Sequence, residues 1–295
     1  MRATKETVAG SRYLALQREA RRTGRPTDEL IQLYGLEGFL DRLVQSDVAD
    51  KFVLKGGVLL AALGERRPTR DIDLAARALS NSADDVLSML RRVAAISLED
   101  GLEFDSARAA AEVIRENDDY NGVRVTLDGR LSRAAVHLHV DVNVGDPIWP
   151  EPQRVSLPRL LSGALIVRGY PLEMVLAEKI VTAITRGTAN TRWRDFLDIY
   201  SLVRRHAPAA AMLRESIMRV AEYREIELTP LASVLEGYAD IAQQPWRAWL
   251  RKNRLESRVP AEFSGVLELV CSFADPVIAN EADGKLWEPA TSGWR

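Results

Sequence analysis

Apolar and polar residues alternate strictly near the middle of the chain, between residues 136 and 144. The apolar positions are Val136, Leu138, Val140, Val142 and Val144. Successive side chains of a β-strand point to opposite faces of a sheet, so this run predicts a strand with one buried and one polar face. The shorter run Val123-Val125-Leu127 has the same period. The chain therefore contains a sheet that has to be covered on one face.

Segments with helical periodicity lie on both sides of these strands. One helix is predicted from Ser11 to Arg25, and a second begins with Thr27 as its N-cap and runs to about Val44. Ser82 begins a further helix, and from Pro171 onward the sequence is helical up to a Trp-rich tail. This order predicts an α+β fold with a small mixed sheet, an N-terminal helical cap and a helical C-terminal half.

The chain has 295 residues, which exceeds the length of about 100–200 residues that is usual for one domain. We interpret residues 1–50 as the helical cap, 51–168 as the core that contains the sheet, and 169–295 as a helical C-terminal domain. The formal net charge is −2, so contact with nucleic acid would depend on local basic patches.

Cysteine content and hydropathy exclude several classes of protein. Cys271 is the single cysteine, which excludes a disulfide within the chain and a zinc site with several cysteines. It lies in an apolar run, and we expect it in the core. No apolar run approaches the roughly 18 residues of a membrane helix, and the N-terminus lacks the pattern of a signal peptide. We expect a cytoplasmic protein that does not contact a membrane.

The residues that predict chemistry begin with a pair of carboxylates. Asp71 and Asp73 alternate with apolar residues, so they share one face of a strand. Two carboxylates this close repel each other unless a cation lies between them or one of them stays protonated, and Mg²⁺ (or Mn²⁺) with oxygen ligands fits that need. The alternative is that the pair lies on a solvated strand face. Upstream, Gly56 and Gly57 stand at a strand-to-helix junction, where backbone N–H groups can approach a phosphate. Asp141, on the polar face of the 136–144 strand, is the candidate for a third metal ligand.

A second set of charged residues falls in the helical half. Lys179 and Arg186 are seven residues apart, two helical turns, and project from one face, where they would neutralise phosphates. Asp195 and Asp198 are three apart and also share a face. The alternative is that these residues form surface ion pairs, worth only about 0–1 kcal/mol each.

These motifs together resemble those of the AbiEii/MenT group of nucleotidyltransferase toxins, in the polymerase-β-like superfamily. The first stretch is Phe52-Val53-Leu54-Lys55-Gly56-Gly57 followed by Arg67-Pro68-Thr69-Arg70-Asp71-Ile72-Asp73-Leu74. The second is Ala177-Glu178-Lys179-Ile180, Arg186 and Arg194-Asp195-Phe196-Leu197-Asp198, and the tail segments Phe273–Pro276, Trp287–Pro289 and Gly293-Trp294 also fit. The resemblance runs from about Ser11 to Trp294. One departure is Val58, where many members have serine or another small residue after the glycines.

The resemblance implies a toxin of a two-gene toxin–antitoxin pair that adds nucleoside monophosphate to RNA. It favours the 3′ acceptor end of tRNA as target, pyrimidine triphosphates as donors, and a cognate antitoxin as partner. Residues 51–168 would then be the nucleotidyltransferase core. The site residues that follow are, as catalytic groups, Asp71, Asp73, Asp141, Lys179 and Asp195. The nucleotide would be bound by Lys55, Gly56, Gly57, Arg70, Lys179 and Arg186.

Control by phosphorylation is a further expectation from the resemblance, since some relatives are silenced at the position that matches Thr69. A phosphate there would add roughly −1.5 to −2 charges beside the site. Alternatively, the hydroxyl of Thr69 caps or turns the loop that enters the Asp71 strand. The residues alone do not decide between these two roles.

Two other functions remain open from the sequence. His137 and His139 share a strand face with Asp141 and would make a metal-dependent hydrolase if they bound one ion, although neighbouring positions of one strand are poorly placed for that. The segment Trp246–Arg254 interleaves aromatic and basic residues, as a non-catalytic RNA- or protein-binding module would, or as a helix with buried tryptophans would.

Overall fold

The computed structural model describes residues 4–65, 69–77, 79, 82–116, 120–257 and 259–295. The Arg67-Pro68 part of the first motif lies outside these residues. The chain divides into two compact units, and we treat each by itself. The N-terminal unit comprises Met1–Asp146 and Pro152–Tyr170, and the C-terminal unit comprises Pro147–Glu151 and Pro171–Arg295.

Among the described residues there are ten α-helices and ten β-strands. The helices are α1 (Val8–Thr23), α2 (Thr27–Val44), α3 (Gly56–Leu59), α4 (Ala83–Ala94), α5 (Leu172–Arg186), α6 (Trp193–Val203), α7 (Ala210–Tyr223), α8 (Leu231–Val234), α9 (Tyr238–Asn253) and α10 (Phe263–Ile278). The strands are β1 (Phe52–Lys55), β2 (Asp71–Ala76), β3 (Leu102–Phe104), β4 (Ala110–Glu116), β5 (Tyr120–Leu131), β6 (Ala134–Val144), β7 (Gln153–Pro158), β8 (Ala164–Gly169), β9 (Trp287–Glu288) and β10 (Gly293–Trp294). None of the described helices is both long enough and apolar enough to cross a membrane.

The N-terminal unit is built on a mixed eight-stranded sheet. Its strand order is β3-β5-β6-β2-β1-β8-β7, and β4 also pairs with β5. The pairs β2–β6 and β1–β8 are parallel, and the remaining pairs are antiparallel. The α+β class with a mixed sheet is thereby confirmed.

Alternation determines which face of the sheet is buried. The apolar residues of β5 and β6 that the sequence singled out, from Val123 to Val142, are fully buried. Helix α2 packs closely on β6, because Gly35 lacks a side chain where a Cβ atom would lie 2.4 Å from Val136. Removing these apolar side chains from water is the main stabilising contribution to such a layer.

The C-terminal unit contains helices α5 to α10 and a two-stranded ribbon, β9–β10, made by the Trp-rich tail. Trp287 is buried and donates from its indole nitrogen to the Val203 carbonyl at 2.7 Å. Trp294 donates to the Phe273 carbonyl at 2.9 Å, and its ring stacks on that of Phe273. The tail thus closes the apolar face of α10.

Three details differ from the sequence-based expectations. Thr27 is the first residue of α2 and not its N-cap, because the first helical bond runs from Leu30 N–H to the carbonyl of Pro26. Strands β3, β4, β7 and β8 were not predicted. Cys271 is only half-buried, because it lies at the boundary of the apolar face of α10.

Candidate functional site

Five charged residues lie in one row across five strands of the N-terminal unit. Strand register places Lys55 opposite Asp73, Asp73 opposite Asp141, Asp141 opposite Arg124, and Arg124 opposite Glu112. Directly opposed residues lie on the same face of a sheet, so we call this set the charged row. Asp71 precedes Asp73 by two residues on β2 and lies on the same face, while Ile72 and Leu74 between and after them are fully buried.

The glycine junction lies directly against Asp73. The Gly57 N–H donates to Asp73 Oδ2 at 3.4 Å. A Cβ atom added to Gly56 would lie 1.9 Å from the same oxygen, and Gly56 has φ +64°. Only glycine fits there, because both the backbone conformation and the close approach of Asp73 exclude a side chain. The sequence suggested a phosphate contact for these glycines. That role stays a prediction, and the contact with Asp73 is the one the structure contains.

Burial and neighbouring charges set the ionisation of Asp73. Burial raises its pKa to about 6; Lys55 opposes this, and Asp141 and Asp71 add to it. A carboxylate with two carboxylate neighbours gains most from a cation placed beside it.

Lys55 supplies one positive charge to this end of the charged row. Its side chain is buried, and Nζ donates to Asp146 Oδ2 at 2.8 Å. Nζ also lies 5.5 Å from the centre of the Tyr170 ring. One ammonium group therefore faces the charges of both Asp73 and Asp146. The nucleotide contact predicted for Lys55 remains a prediction.

Arg124, at the other side of Asp141, was not recognised from the sequence. Its Nε donates to Asp141 Oδ1 at 2.8 Å and its Nη2 to Oδ2 at 2.7 Å. These bonds to Asp141, together with the negative charges of Asp71 and Glu112, raise the pKa of the guanidinium further above its usual value. Nothing in the sequence distinguishes an arginine that pairs with a site residue from one that is solvated on the polar face of a strand.

The donor set fits a divalent cation bound by two carboxylates. Magnesium usually takes one or two protein carboxylates together with substrate phosphates, and Asp71 and Asp73 provide such a pair. Within the described parts of the chain, no three or more His, Cys, Asp or Glu side chains converge as a metal site. Asp141 is engaged through both oxygens by Arg124, so its role as third ligand stays a prediction.

The second motif forms a buried cluster in the C-terminal unit. Lys179 on α5 donates to Asp195 Oδ1 at 2.7 Å and to Asp198 Oδ2 at 2.8 Å, both on α6. Arg192 donates from Nε to Asp195 Oδ2 at 2.7 Å. Asp195 and Asp198 are 6% and 4% exposed, so these are not the surface ion pairs of the alternative interpretation.

Asp195 is strongly ionised in this cluster. Burial alone would raise its pKa, but the charges and hydrogen bonds of Lys179 and Arg192 outweigh burial and lower the pKa to about 2. Arg192 was also missed from the sequence, although its spacing of three residues from Asp195 is a helix-pairing signal. Two carboxylates hold the Lys179 ammonium in one position.

The remaining candidates have simpler surroundings. Arg70 is exposed, and Arg186 is half-buried in the last turn of α5. The Thr69 hydroxyl donates to the Asp71 carbonyl at 3.4 Å, a weak contact of the loop-turning kind. A regulatory role for Thr69 stays a prediction.

The residues behind the alternative functions are engaged elsewhere. His137 Nδ1 lies 2.6 Å from Asp128 Oδ1, and His139 Nδ1 lies 3.2 Å from Thr126 Oγ1, each across the β5–β6 pair. Trp246 is fully buried and donates from its indole nitrogen to the Pro260 carbonyl at 3.0 Å. It is therefore part of the core and not a platform for stacking bases.

Comparison with known proteins was made against solved structures, curated proteins and family models. A crystal structure of a candidate nucleotidyltransferase from H. pylori aligns with a TM-score of 0.48 and 17% identity, over 84% of this chain and 96% of that one. The crystal structure of JHP933 from Helicobacter pylori aligns with a TM-score of 0.46 and 14% identity, over 83% and 93%. No curated protein matches the chain. The model of the nucleotidyl transferase AbiEii toxin, type IV toxin–antitoxin system, matches residues 38–268. The chain belongs to the AbiEii family of nucleotidyltransferase toxins.

Proposed function

We propose that this enzyme transfers a nucleoside monophosphate from a nucleoside triphosphate to the 3′-hydroxyl of an RNA. Family membership supports nucleotidyl transfer and a toxin–antitoxin partner. The motif resemblance favours the acceptor end of tRNA as target and a pyrimidine nucleotide as donor. The proposed reaction belongs in the cytoplasm, where RNA and triphosphates are present together.

The observation that carries the proposal is the packing of the glycine junction against Asp73. A short strand, β1, ends at Lys55, directly before Gly56, and the neighbouring strand β2 directs the Asp73 side chain at that glycine. The junction and the carboxylate pair are therefore one local structure, and a substrate phosphate at the junction would lie beside both carboxylates.

Magnesium, or manganese, is the cofactor in this proposal, and Asp71 and Asp73 would hold it. When bound, the ion supplies positive charge that lowers the pKa of the attacking hydroxyl and stabilises the charge on the transferred phosphoryl group. Lys55, which is buried next to Asp73, offsets part of the negative charge of the carboxylate pair. Asp141 is the proposed third carboxylate, on the adjacent strand.

Lys179 is proposed to bind the phosphates of the nucleotide, with Asp195 and Asp198 holding its ammonium group in place. A lysine fixed by two buried carboxylates loses little side-chain entropy when a phosphate binds. Arg70 and Arg186 are proposed as further phosphate contacts. We also propose that the antitoxin controls the enzyme, with Thr69 as candidate phosphorylation site beside Asp71.

The test is incorporation of label from each of four α-labelled triphosphates into total RNA. Asp71→Asn and Asp73→Asn keep the side-chain shape and remove a charge, and we expect each to abolish incorporation while the circular dichroism spectrum is retained. Asp128→Asn is the matched control, because Asp128 lies on the same sheet but outside the charged row, paired with His137. Near-normal incorporation by either variant would overturn the assignment. Activity without any triphosphate, lost on changing His137, would favour the hydrolase instead.

A further inference from the structure

The pairing of Arg124 with Asp141 bears on how the site acquires its cation. The guanidinium binds both oxygens of the carboxylate, at 2.8 and 2.7 Å, in the paired geometry that makes arginine–carboxylate contacts strong. A guanidinium in that position also repels a second cation, because like charges raise each other's energy at short distance. Asp141 in this arrangement is a poor metal ligand.

The Arg124 guanidinium can exchange its carboxylate partner for a phosphate. The Arg124 side chain is 33% exposed and the Asp141 side chain is 12% exposed. The arginine is therefore the more accessible partner of the pair, and an anion from solution can reach it. The planar fork of arginine matches phosphate as well as carboxylate. Arg124 stays charged whether it binds Asp141 or a phosphate, because a guanidinium is always protonated at physiological pH.

We propose that Arg124 is a positioning residue that withholds Asp141 from the divalent cation until a phosphate of the nucleotide binds the guanidinium. The proposal rests on the function proposed above, since it takes Asp71 and Asp73 as the primary metal ligands. Its consequence is that cation and nucleotide bind cooperatively. Each ligand favours the arrangement in which Arg124 and Asp141 are separated, and such coupling is reciprocal.

The test measures Mn²⁺ binding directly, from the electron paramagnetic resonance signal of the free ion, on the full-length chain. Wild type and Arg124→Gln are compared with and without a triphosphate analogue that cannot be transferred. We expect Arg124→Gln to bind Mn²⁺ about tenfold more tightly than wild type without nucleotide, and to lose most of the tightening that the analogue causes in wild type. In the Asp141→Asn background, changing Arg124 should have no such effect.

Arg130→Gln is the matched control. Arg130 lies on the same strand and pairs with Glu103 across to β3, but this pair is 67% exposed at both side chains and is outside the charged row. The Arg130→Gln substitution should leave Mn²⁺ affinity unchanged. The proposal is overturned if Arg124→Gln binds Mn²⁺ no more tightly than wild type, or if the gain persists with Asp141→Asn. Failure of the proposed function looks different: wild type would then bind no Mn²⁺ that depends on Asp73, and would incorporate no label.

Discussion

The contribution of the Lys179 ion pairs to stability depends on their burial. At the helix surface, a lysine with two aspartates would contribute little, because water screens the charges. Here Asp195 and Asp198 are buried, so removing the lysine would take a compensating positive charge and a hydrogen bond away from each of two buried carboxylates. The cluster therefore contributes to the stability of the C-terminal unit, and its contribution depends on pH.

Asp195 should give the C-terminal unit an acid-dependent stability. Its pKa is lowered to about 2 from an ordinary value of 3.8, so its contribution is present above pH 4 and is lost as pH falls from 4 towards 2. We expect wild type to lose about 2 kcal/mol more unfolding free energy than Asp195→Asn over that interval. Urea unfolding followed by tryptophan fluorescence measures it, since all six tryptophans belong to the C-terminal unit.

The control for this experiment is Glu215→Gln. Glu215 pairs with Arg219 on α7 in the same unit, but both side chains are more than 40% exposed. Its unfolding free energy should follow wild type across the same pH interval. An equal pH response of wild type and Asp195→Asn would contradict the ionisation assigned to Asp195.

At the scale of elements, the junction between β1 and α3 packs against Asp73 of β2. Gly56→Ala should displace Asp73, because the new methyl group would lie 1.9 Å from Asp73 Oδ2. We expect loss of nucleotide transfer comparable to that of Asp73→Asn, with a destabilisation of roughly 1–3 kcal/mol from backbone strain. Label incorporation and the thermal unfolding midpoint are the measurements.

The Gly24→Ala variant distinguishes the effect of backbone strain from the effect of displacing Asp73. Gly24 ends α1 with φ +69°, close to the φ of Gly56, but no atom lies within 4 Å of an added Cβ. It should lower the unfolding midpoint and leave transfer intact. Normal transfer by Gly56→Ala would mean that the approach of Asp73 to the glycine is not needed for activity.

The same elements show what the sequence could and could not predict. Strict alternation identified β2, β5 and β6, and the placement of Asp71 and Asp73 on one face followed from it. Strand β8 was missed although Leu165 and Val167 are buried between exposed residues, because the exposed Ile166 between them is itself apolar and hides the alternation in the sequence. Strand β7, its antiparallel partner, was missed as well.

Long-range pairing was the other part that the sequence did not supply. Asp141 was placed on the polar face of its strand from the sequence, and the register shows that it lies directly opposite Asp73. Periodicity identifies a face of a strand but not its neighbour, so the Arg124–Asp141 pair, which depends on the β5–β6 register, was not foreseen. Function was recognised through motifs, which report the chemistry of a family and not the contacts of one chain.

At the scale of the whole molecule, the net charge of −2 means that the proposed binding of RNA would depend on a few basic positions. The end of α9 provides three exposed ones, Arg251, Lys252 and Arg254. Changing all three to glutamine should reduce the slope of log affinity against log salt by about 2, at roughly 0.7 per phosphate contact for single-stranded RNA. Filter binding over a salt series measures the slope.

A matched change of net charge is available on α1. Arg18, Arg21 and Arg22 are all exposed, and their conversion to glutamine removes the same number of positive charges, three. We expect little change in the slope for this variant. Equal effects of the two triple variants would show that overall charge, and not the α9 end, governs RNA binding.

The chain alternates between the two units, and this determines when the N-terminal sheet can be completed during synthesis. The chain leaves the N-terminal unit after Asp146, returns at Pro152 and leaves again after Tyr170. Strand β1, which leads into the glycine junction, receives its parallel neighbour only with Gly169 and Tyr170, whose N–H donates to the Leu54 carbonyl at 3.0 Å. The nascent toxin thus carries its carboxylate pair long before the sheet around it is complete.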